Sequence, residues 1–516
     1  MSGCEPAEYW RKSLRYSQQL REAVNTSDTV EAERILQEYM KWGYDRLPNW
    51  IRVQLCEAAL KNRCLPMVEF LLPSVRISNN FVDVETNIKL IEAAIKSDFI
   101  EGVKYLQSKG IPPYFAHSTS RYNWSALTEC VLNNSVEVLK YLLELKYPDQ
   151  NPEKEETLLM LCCQHLNIES LKILLKSELI NTINEQTTHR GYSALHYCIG
   201  RKDILWEYDL RERKPERVID CVQLLVESGA DVNLEDINGT TPIQLAAESG
   251  MVTTVIYLAE RGADLNIRTH LGNLFHCLAD SDQMSDSYDE CIPLLIKKGT
   301  DINKLNKSNE TPLYLAVSQG NVEMVKSLIK SGCDVNIKVD EESVLMTSIR
   351  RRKTISEILI QAECDVNTPD KNGVTPLMEC IQTDNQVLVK QLIDHGAFVN
   401  AKDNKGCFVL EYLRFYYHQK GRSSSADIVK IMIDAGADIH KCNKLLCTAI
   451  IAEDYESASM LIEHGINVNT VGGNGDNPLA LASEKGKLEL VKLLTTKDCD
   501  INHQNLRGET ALHKAI

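Results

Sequence analysis

The 516-residue sequence predicts an all-α repeat solenoid, stacked helix-turn-helix units joined by β-hairpin fingers, about fourteen of them with the last incomplete. Three observations predict it. A tripeptide of the form Asp-x-Asn recurs along the chain, a helix start follows it about ten residues later, and a glycine closes a second amphipathic stretch before the next tripeptide. Periodicity is read before secondary structure because a repeat makes length a count of units rather than of domains.

The tripeptide slot holds Asp231-Val232-Asn233, Asp264-Leu265-Asn266, Asp301-Ile302-Asn303, Asp334-Val335-Asn336, Asp365-Val366-Asn367, Phe398-Val399-Asn400, Asp438-Ile439-His440, Asn467-Val468-Asn469 and Asp500-Ile501-Asn502. Its last residues lie 33, 37, 33, 31, 33, 40, 29 and 33 apart. The helix start is clearest as Thr241-Pro242, Thr311-Pro312 and Thr375-Pro376. A threonine hydroxyl caps a backbone N–H that the helix leaves open, and proline at the first helical position has none to leave open. The second stretch, as in Met324–Ile329 and Leu490–Leu494, has the i, i+3, i+4 spacing of a helix buried on one face. Gly229, Gly262, Gly299, Gly332, Gly396, Gly436 and Gly465 end it where the chain needs positive φ. Glu363 and Asp498 stand at that stop instead, and there a side chain costs about 1 kcal/mol.

Helix, turn, helix, glycine stop and polar hairpin at this period resemble the ankyrin repeat, whose consensus reads G-x-T-P-L-H-x-A-A and then V-x-x-L-L-x-x-G-A-D-x-N. From about Gly191 onward several of these marks recur in register. Residues before 190 lack the Thr-Pro mark, but the leading apolar residue of the first helix continues there as Leu20, Leu55, Leu90 and Leu127, at steps of 35, 35 and 37. Leu159, Leu195, Ile243, Phe275, Leu313, Leu345, Leu377, Leu410, Leu446, Leu479 and Leu512 carry it to the end. The organisation read from this frame is a lead-in at 1–18, degenerate ankyrin-like repeats at 19–190 and ankyrin repeats at 191–516. An α-helical domain of another repeat type over 1–190 is the alternative. Loop insertions are placed at 201–217, 280–290 and 418–426. The stop at Ile516, just as a first helix begins, reads as a truncation.

Composition narrows the function classes. Seventy-two acidic against 57 basic side chains leave −15, which repels polyphosphate at long range and argues against nucleic-acid coating. No apolar run reaches the 18 residues of a membrane span, and the N-terminus shows no signal peptide. Seventeen cysteines then read as reduced core thiols of a cytoplasmic protein, with the nucleus as an alternative compartment.

No reactive constellation interrupts the repeat, so the reading is not an enzyme, with no metal and no cofactor. His196 and His513 fall in the Leu-His slot, where the resemblance implies a structural imidazole bonded to neighbouring turns; the register of His276, one residue short, is open. Cys162-Cys163-Gln164-His165 lacks a fourth ligand and a C-x-x-C pair, which favours buried thiols over zinc.

Binding is the remaining class. About fourteen units at roughly 8–10 Å each extend on the order of 130 Å, suited to one or more protein partners. In ankyrin arrays the finger tips contact partners, which points to Asp236, Asn238, His270, Asn306, Asp370, Asn372, Asp403 and Asn404. Asp403 at a tip is expected to be nearly silent for folding. Tyr114, Phe115, Tyr122 and Trp124 in one predicted loop, and Trp206 in the first insertion, are candidate aromatic anchors. Asn233, Asn336 and Asn367 follow Leu-x5-Asp-Val and are similar to sites of asparaginyl hydroxylation. The resulting expectation is a non-enzymatic scaffold or adaptor; the alternative is a regulatory or sensory ankyrin region of a larger effector such as a channel, ubiquitin-ligase adaptor or kinase. A small nucleotide or other effector gripped in the groove is disfavoured, because the sequence displays no clustered Lys and Arg with aromatics on neighbouring fingers.

Overall fold

A computed structural model describes residues 6–41, 49–72, 81–111, 125–146, 156–200, 214–266, 272–281, 287–413, 425–442 and 444–516. The chain divides into two compact units, Met1–Ala246 with Thr253–Ile267, and Ala247–Val252 with Arg268–Ile516.

In the first unit helices come in pairs: Pro6–Asn25 with Thr29–Lys41, Asn49–Lys61 with Leu65–Leu71, Phe81–Lys96 with Ile100–Ser108, Ala126–Leu132 with Val136–Glu144, Leu158–His165 with Ile168–Leu174, and Ala194–Ile199 with Pro215–Glu227. First helices pack on first helices and second on second, pair after pair. The repeat frame places the contact residues correctly, since Leu20, Leu55, Leu90, Leu127, Leu159 and Leu195 are all buried. The first helix runs across residue 18, where the lead-in was placed.

The turn inside each N-terminal pair needs one left-handed residue, and Ser27, Arg63, Asp98, Asn134 and Leu166 supply it at φ of 58, 54, 51, 53 and 53°. The same turns tie neighbouring pairs together. Asn62 Nδ2 donates to Val24 O at 3.1 Å and Ser97 Oγ to Leu60 O at 2.9 Å. Ser135 Oγ and Asn167 Nδ2 donate likewise to Ile95 O and Val131 O. Each carbonyl lies at the end of the preceding first helix and takes the side chain as a second donor beside the N–H of the left-handed turn residue, as Val24 O does from Ser27 N at 3.1 Å.

The second unit repeats the plan with different joints. Its pairs are Leu274–Asp280 with Tyr288–Lys297, Pro312–Gln319 with Val322–Lys330, Val344–Arg351 with Lys353–Gln361, Pro376–Gln382 with Gln386–Asp394, Leu445–Ile451 with Tyr455–Glu463, and Pro478–Glu484 with Leu488–Thr495, followed by Ala511–Ala515. Before Ala426–Asp434 the first helix shrinks to the single 3₁₀ turn Val409–Tyr412. Phe275, Leu313, Leu345, Leu377, Leu410, Leu446 and Leu479 are buried, whereas Leu512 on the last helix is exposed. The caps form as expected: Thr311 Oγ1 accepts from Tyr314 N at 3.1 Å, Thr375 Oγ1 from Met378 N at 3.4 Å, and Asn477 Oδ1 from Ala480 N at 2.9 Å. Thr241, at the helix Pro242–Glu248, departs from this; its hydroxyl is buried with no partner.

Two details differ from the sequence reading. All three insertions end inside helices that start at Pro215, Tyr288 and Ala426, and Asp280 belongs to a first helix. Among the described residues only one finger forms a strand pair, Lys338–Val339 with Glu342–Ser343; Lys402 and Phe408 make an isolated bridge, and the other fingers are turns. Glu363 and Asp498 adopt φ of 56 and 43° at their helix stops, as the missing glycines require.

Candidate functional site: the finger edge

Each finger begins at its Asp-x-Asn slot. The aspartate folds the chain back on itself: Asp231 Oδ1 accepts from Asn233 N at 2.9 Å, and Asp334 Oδ1 from Asn336 N at 2.8 Å. This Asx turn points the asparagine amide at the next unit. In the first unit Asn184 and Asn233 Oδ1 accept from Asp231 N and Asp264 N at 2.8 Å, while their Nδ2 atoms donate to Gly229 O and Gly262 O. In the second unit Asn303, Asn336, Asn367, Asn400 and Asn469 accept from the N–H of Asp334, Asp365, Phe398, Asp438 and Asp500 at 2.7–2.8 Å. The slot asparagines are therefore a hydrogen-bonded ladder between fingers, and His440, which has no amide, stands in that slot at one step.

At the tip a second carboxylate or amide shapes the turn. Asp236 Oδ1 accepts from Asn238 N and Thr240 N, Asp370 from Asn372 N and Val374 N, and Asp403 from Lys405 N and Cys407 N, all at 2.8–3.0 Å. Asn306 does the same for Ser308 and Glu310. Asp403 also accepts the Tyr412 hydroxyl at 2.7 Å and is only 9% exposed. Burial works to raise its pKa, but the Tyr412 hydroxyl and the two N–H donors outweigh it and hold the carboxyl below its ordinary value. The expectation of a silent Asp403 is thus corrected, because its side chain builds the turn. Tips also touch. Asn404 N donates to Asn372 O at 3.0 Å and Asn404 Nδ2 to Lys371 O at 3.1 Å, and a Cβ on Gly373 would sit 2.6 Å from Asn404 N.

The predicted tip residues accordingly separate. Asp236 and Asp403 are buried, Asn306 and Asp370 half-buried, and Asn238, Asn372 and Asn404 exposed. Asp370 is further held by Arg350, whose guanidinium also meets Glu342 and Glu379 at 3.0–3.3 Å. His270, Trp206 and the aromatic group Tyr114, Phe115, Tyr122 and Trp124 lie outside the described residues.

The histidines serve the same joints. His196 Nδ1 accepts from Ser193 N at 3.2 Å, so Nε2 carries the proton and donates to Thr240 O at 3.0 Å. His276 repeats this with Asn273 N and Glu310 O, which places Asn273 as the cap and settles that register. Burial lowers both pKa values, more than the backbone carbonyls raise them. Cys162 and Cys163 are buried in the helix Leu158–His165, and burial pushes thiols such as Cys56, Cys291 and Cys333 up to about 12, leaving them protonated at neutral pH. Among the described residues no three His, Cys, Asp or Glu side chains converge as metal ligands, and no helix is long and apolar enough to cross a membrane.

One arrangement was missed from sequence. Lys402 Nζ lies 4.5 Å and Lys441 Nζ 6.0 Å from the Phe408 ring centroid, cations and an aromatic on neighbouring fingers. Their separation in sequence hid them; the only legible signal was lysine at the tips of consecutive units.

The pairwise helices, fingers and histidine joints agree with the family comparison. A profile described as ankyrin repeats (3 copies) matches residues 216–269, 284–339, 338–403 and 418–505, and one described as ankyrin repeat matches 190–237. The chain belongs to the ankyrin-repeat family. Among curated relatives it is similar to the human transient receptor potential cation channel subfamily A member 1, 24% identical over 301 residues, 58% of this chain and 24% of the channel. It is 25% identical over 305 residues to the E3 ubiquitin-protein ligase KEG of Arabidopsis thaliana, 54% of this chain and 18% of the ligase. A putative ankyrin repeat protein, FPV115 of fowlpox virus, is 26% identical over 338 residues, 60% of this chain and 58% of its own length. The chain thus spans a quarter or less of the channel and the ligase. Among solved structures the human ASB11 ankyrin repeat domain is 20% identical, covered over 99% of its length and 55% of this chain, at a TM-score of 0.31. Ankyrin repeats generally mediate protein–protein interaction.

Proposed function

We propose that this protein is a non-enzymatic scaffold or adaptor of the cytoplasm that binds partner proteins along its finger edge and adjoining first-helix faces. One observation carries the reading. Buried Asp236 and Asp403 and the hydrogen-bonded slot asparagines hold the fingers in place, while Asn238, Lys307, Asn372 and Arg507 stand exposed beside them on hydrogen-bonded turns. A fixed backbone presenting variable outward side chains recognises a partner at little entropic cost. The aromatic group Tyr114, Phe115, Tyr122 and Trp124 is a second anchor in this proposal, and Trp206 a third. Cross-linking and affinity capture from cells would compare the wild type with Asn238→Arg/Asn372→Arg and with alanine at Tyr114, Tyr122 and Trp124. Loss of partners from the first variant supports the finger edge; an unchanged partner set from both sinks the proposal.

The second reading, a regulatory region of a larger effector, is supported by the small share of the channel and ligase that this chain matches. An immunoblot of the endogenous protein running well above 58.3 kDa would favour it. Asn233, Asn336 and Asn367 remain proposed hydroxylation targets. A modifying enzyme would have to open the ladder to reach them, and the absence of +16 species in their peptides from native cells would dispose of the idea.

A further inference from the structure

We propose that three consecutive fingers, 368–374, 401–408 and 438–442 with Lys444, form a docking surface for an extended acidic protein segment. This rests on the reading of the fingers as a protein-binding edge and names the chemistry of the partner. Lys371, Lys402, Lys405, Lys441 and Lys444 are all exposed on these fingers, in a chain whose net charge is −15. Among the described residues only Lys441 of the five is ion-paired, to Asp438 at 2.7 Å.

The carboxylates around the lysines have other work. Asp370 is held by Arg350 and two backbone N–H groups, Asp403 by Tyr412 and two more, and Glu411 accepts from Phe408 N at 2.9 Å. Asp438 accepts from His440 N as well as pairing with Lys441. Acidic groups on these fingers therefore face inward to the backbone, and ammonium groups face out. Phe408 gathers two of them, since the negative face of its ring attracts both Lys402 and Lys441. The Asn400 side chain fixes the spacing of the second and third fingers by accepting from Asp438 N and donating to Gly436 O at 3.0 Å, while Asn404 joins the first two. The cations thus sit on a preorganised frame.

Three fingers at roughly 10 Å each span on the order of 20 Å, the reach of about six or seven extended residues. A short acidic peptide meets only this local surplus of positive charge. A long nucleic acid would also meet the acidic remainder of the molecule, which repels it. The observations therefore favour protein over nucleic acid.

The test uses the full chain and fluorescence anisotropy with three labelled probes: a peptide of about ten residues alternating glutamate and serine, its glutamine counterpart, and single-stranded DNA of about forty nucleotides, long enough to reach beyond the three fingers. The glutamate peptide is expected to bind, more weakly as salt rises, and the glutamine peptide not to bind. Lys402→Glu/Lys441→Glu should weaken binding about tenfold, or about 1.4 kcal/mol, and Lys326→Glu on a second helix should leave it unchanged. Lys402→Gln/Lys441→Gln, with a smaller loss expected, serves if the reversal fails to fold. Equal binding of both peptides, indifference to both double variants, or DNA binding as tightly as the glutamate peptide would each overturn the proposal. If Asn238→Arg/Asn372→Arg abolishes partner capture while the glutamate peptide does not bind, the acidic partner is wrong and the finger-edge reading stands.

Discussion

Among the described residues, the two stretches of this molecule show joints of different kinds. Between residues 24 and 167 the joints are at the turns inside each helix pair, where Asn62, Ser97, Ser135 and Asn167 reach back to the preceding first helix. Along the fingers the described joints are the ladder of slot asparagines, from Asn184 to Asp264 in the first unit and from Asn303 to Asp500 in the second, where a turn joint also occurs, Arg352 Nη2 donating to Gln319 O at 3.3 Å. The helical frame is common to both, because Leu90 and Leu313 occupy the same buried place. The comparison teaches that burial keeps the period while the described hydrogen-bonded joints vary in kind.

The largest test removes what the stretches share. Leu313→Ala and Leu90→Ala should each cost about 2–5 kcal/mol, read from urea unfolding midpoints. A silent Leu90→Ala would separate the N-terminal stretch from the repeat frame. Next, Asp403→Ala should cost about 1–3 kcal/mol, because it leaves two turn N–H groups and the Tyr412 hydroxyl without their acceptor. Lys405→Ala beside it should be near neutral, and equal melting temperatures for the two variants would return Asp403 to the status of a simple surface residue.

The histidine joints give a pH signature. His196 and His276 have folded pKa values below the ordinary value near 6.5, so the unfolded chain binds more protons. Their contribution is full above about pH 6.5 and falls as the pH drops through that value toward the lowered folded pKa. Thermal melts from neutral to mildly acidic pH should show this decline, and His196→Gln/His276→Gln should flatten it while lowering stability at neutral pH. An unchanged slope would mean that other groups control the acid transition.

The smallest effects compare left-handed residues. Glu363→Gly in the second unit and Arg63→Gly in the first should each raise stability by about 0.5–1 kcal/mol, since both exposed residues hold positive φ at a helix end. A lowered melting temperature at either site would show that its side chain contributes a contact larger than the backbone strain.

Much of the frame was legible in one dimension. Thr311-Pro312 and Thr375-Pro376 start helices, Glu363 and Asp498 stop them with left-handed backbone, and the leading apolar residues are buried from Leu20 to Leu479. These are local matters, in which a residue's own backbone preference or helical face decides the outcome. The N-terminal turns were harder to read because Ser27, Arg63 and Leu166 take a conformation that composition assigns to glycine.

The sequence by itself determined the period, the family likeness and the buried face of each helix, since all follow from spacings shorter than one repeat. Only the tertiary structure decided which tip residues face inward, which residues tie neighbouring units together, and that Lys402 and Lys441 meet over Phe408. Those depend on partners brought together by folding, from a few residues apart within a finger to about one repeat apart along the stack. Asp403 and Asn404 show the consequence: adjacent polar residues of one turn, one closed over its own backbone and the other extended to the preceding finger.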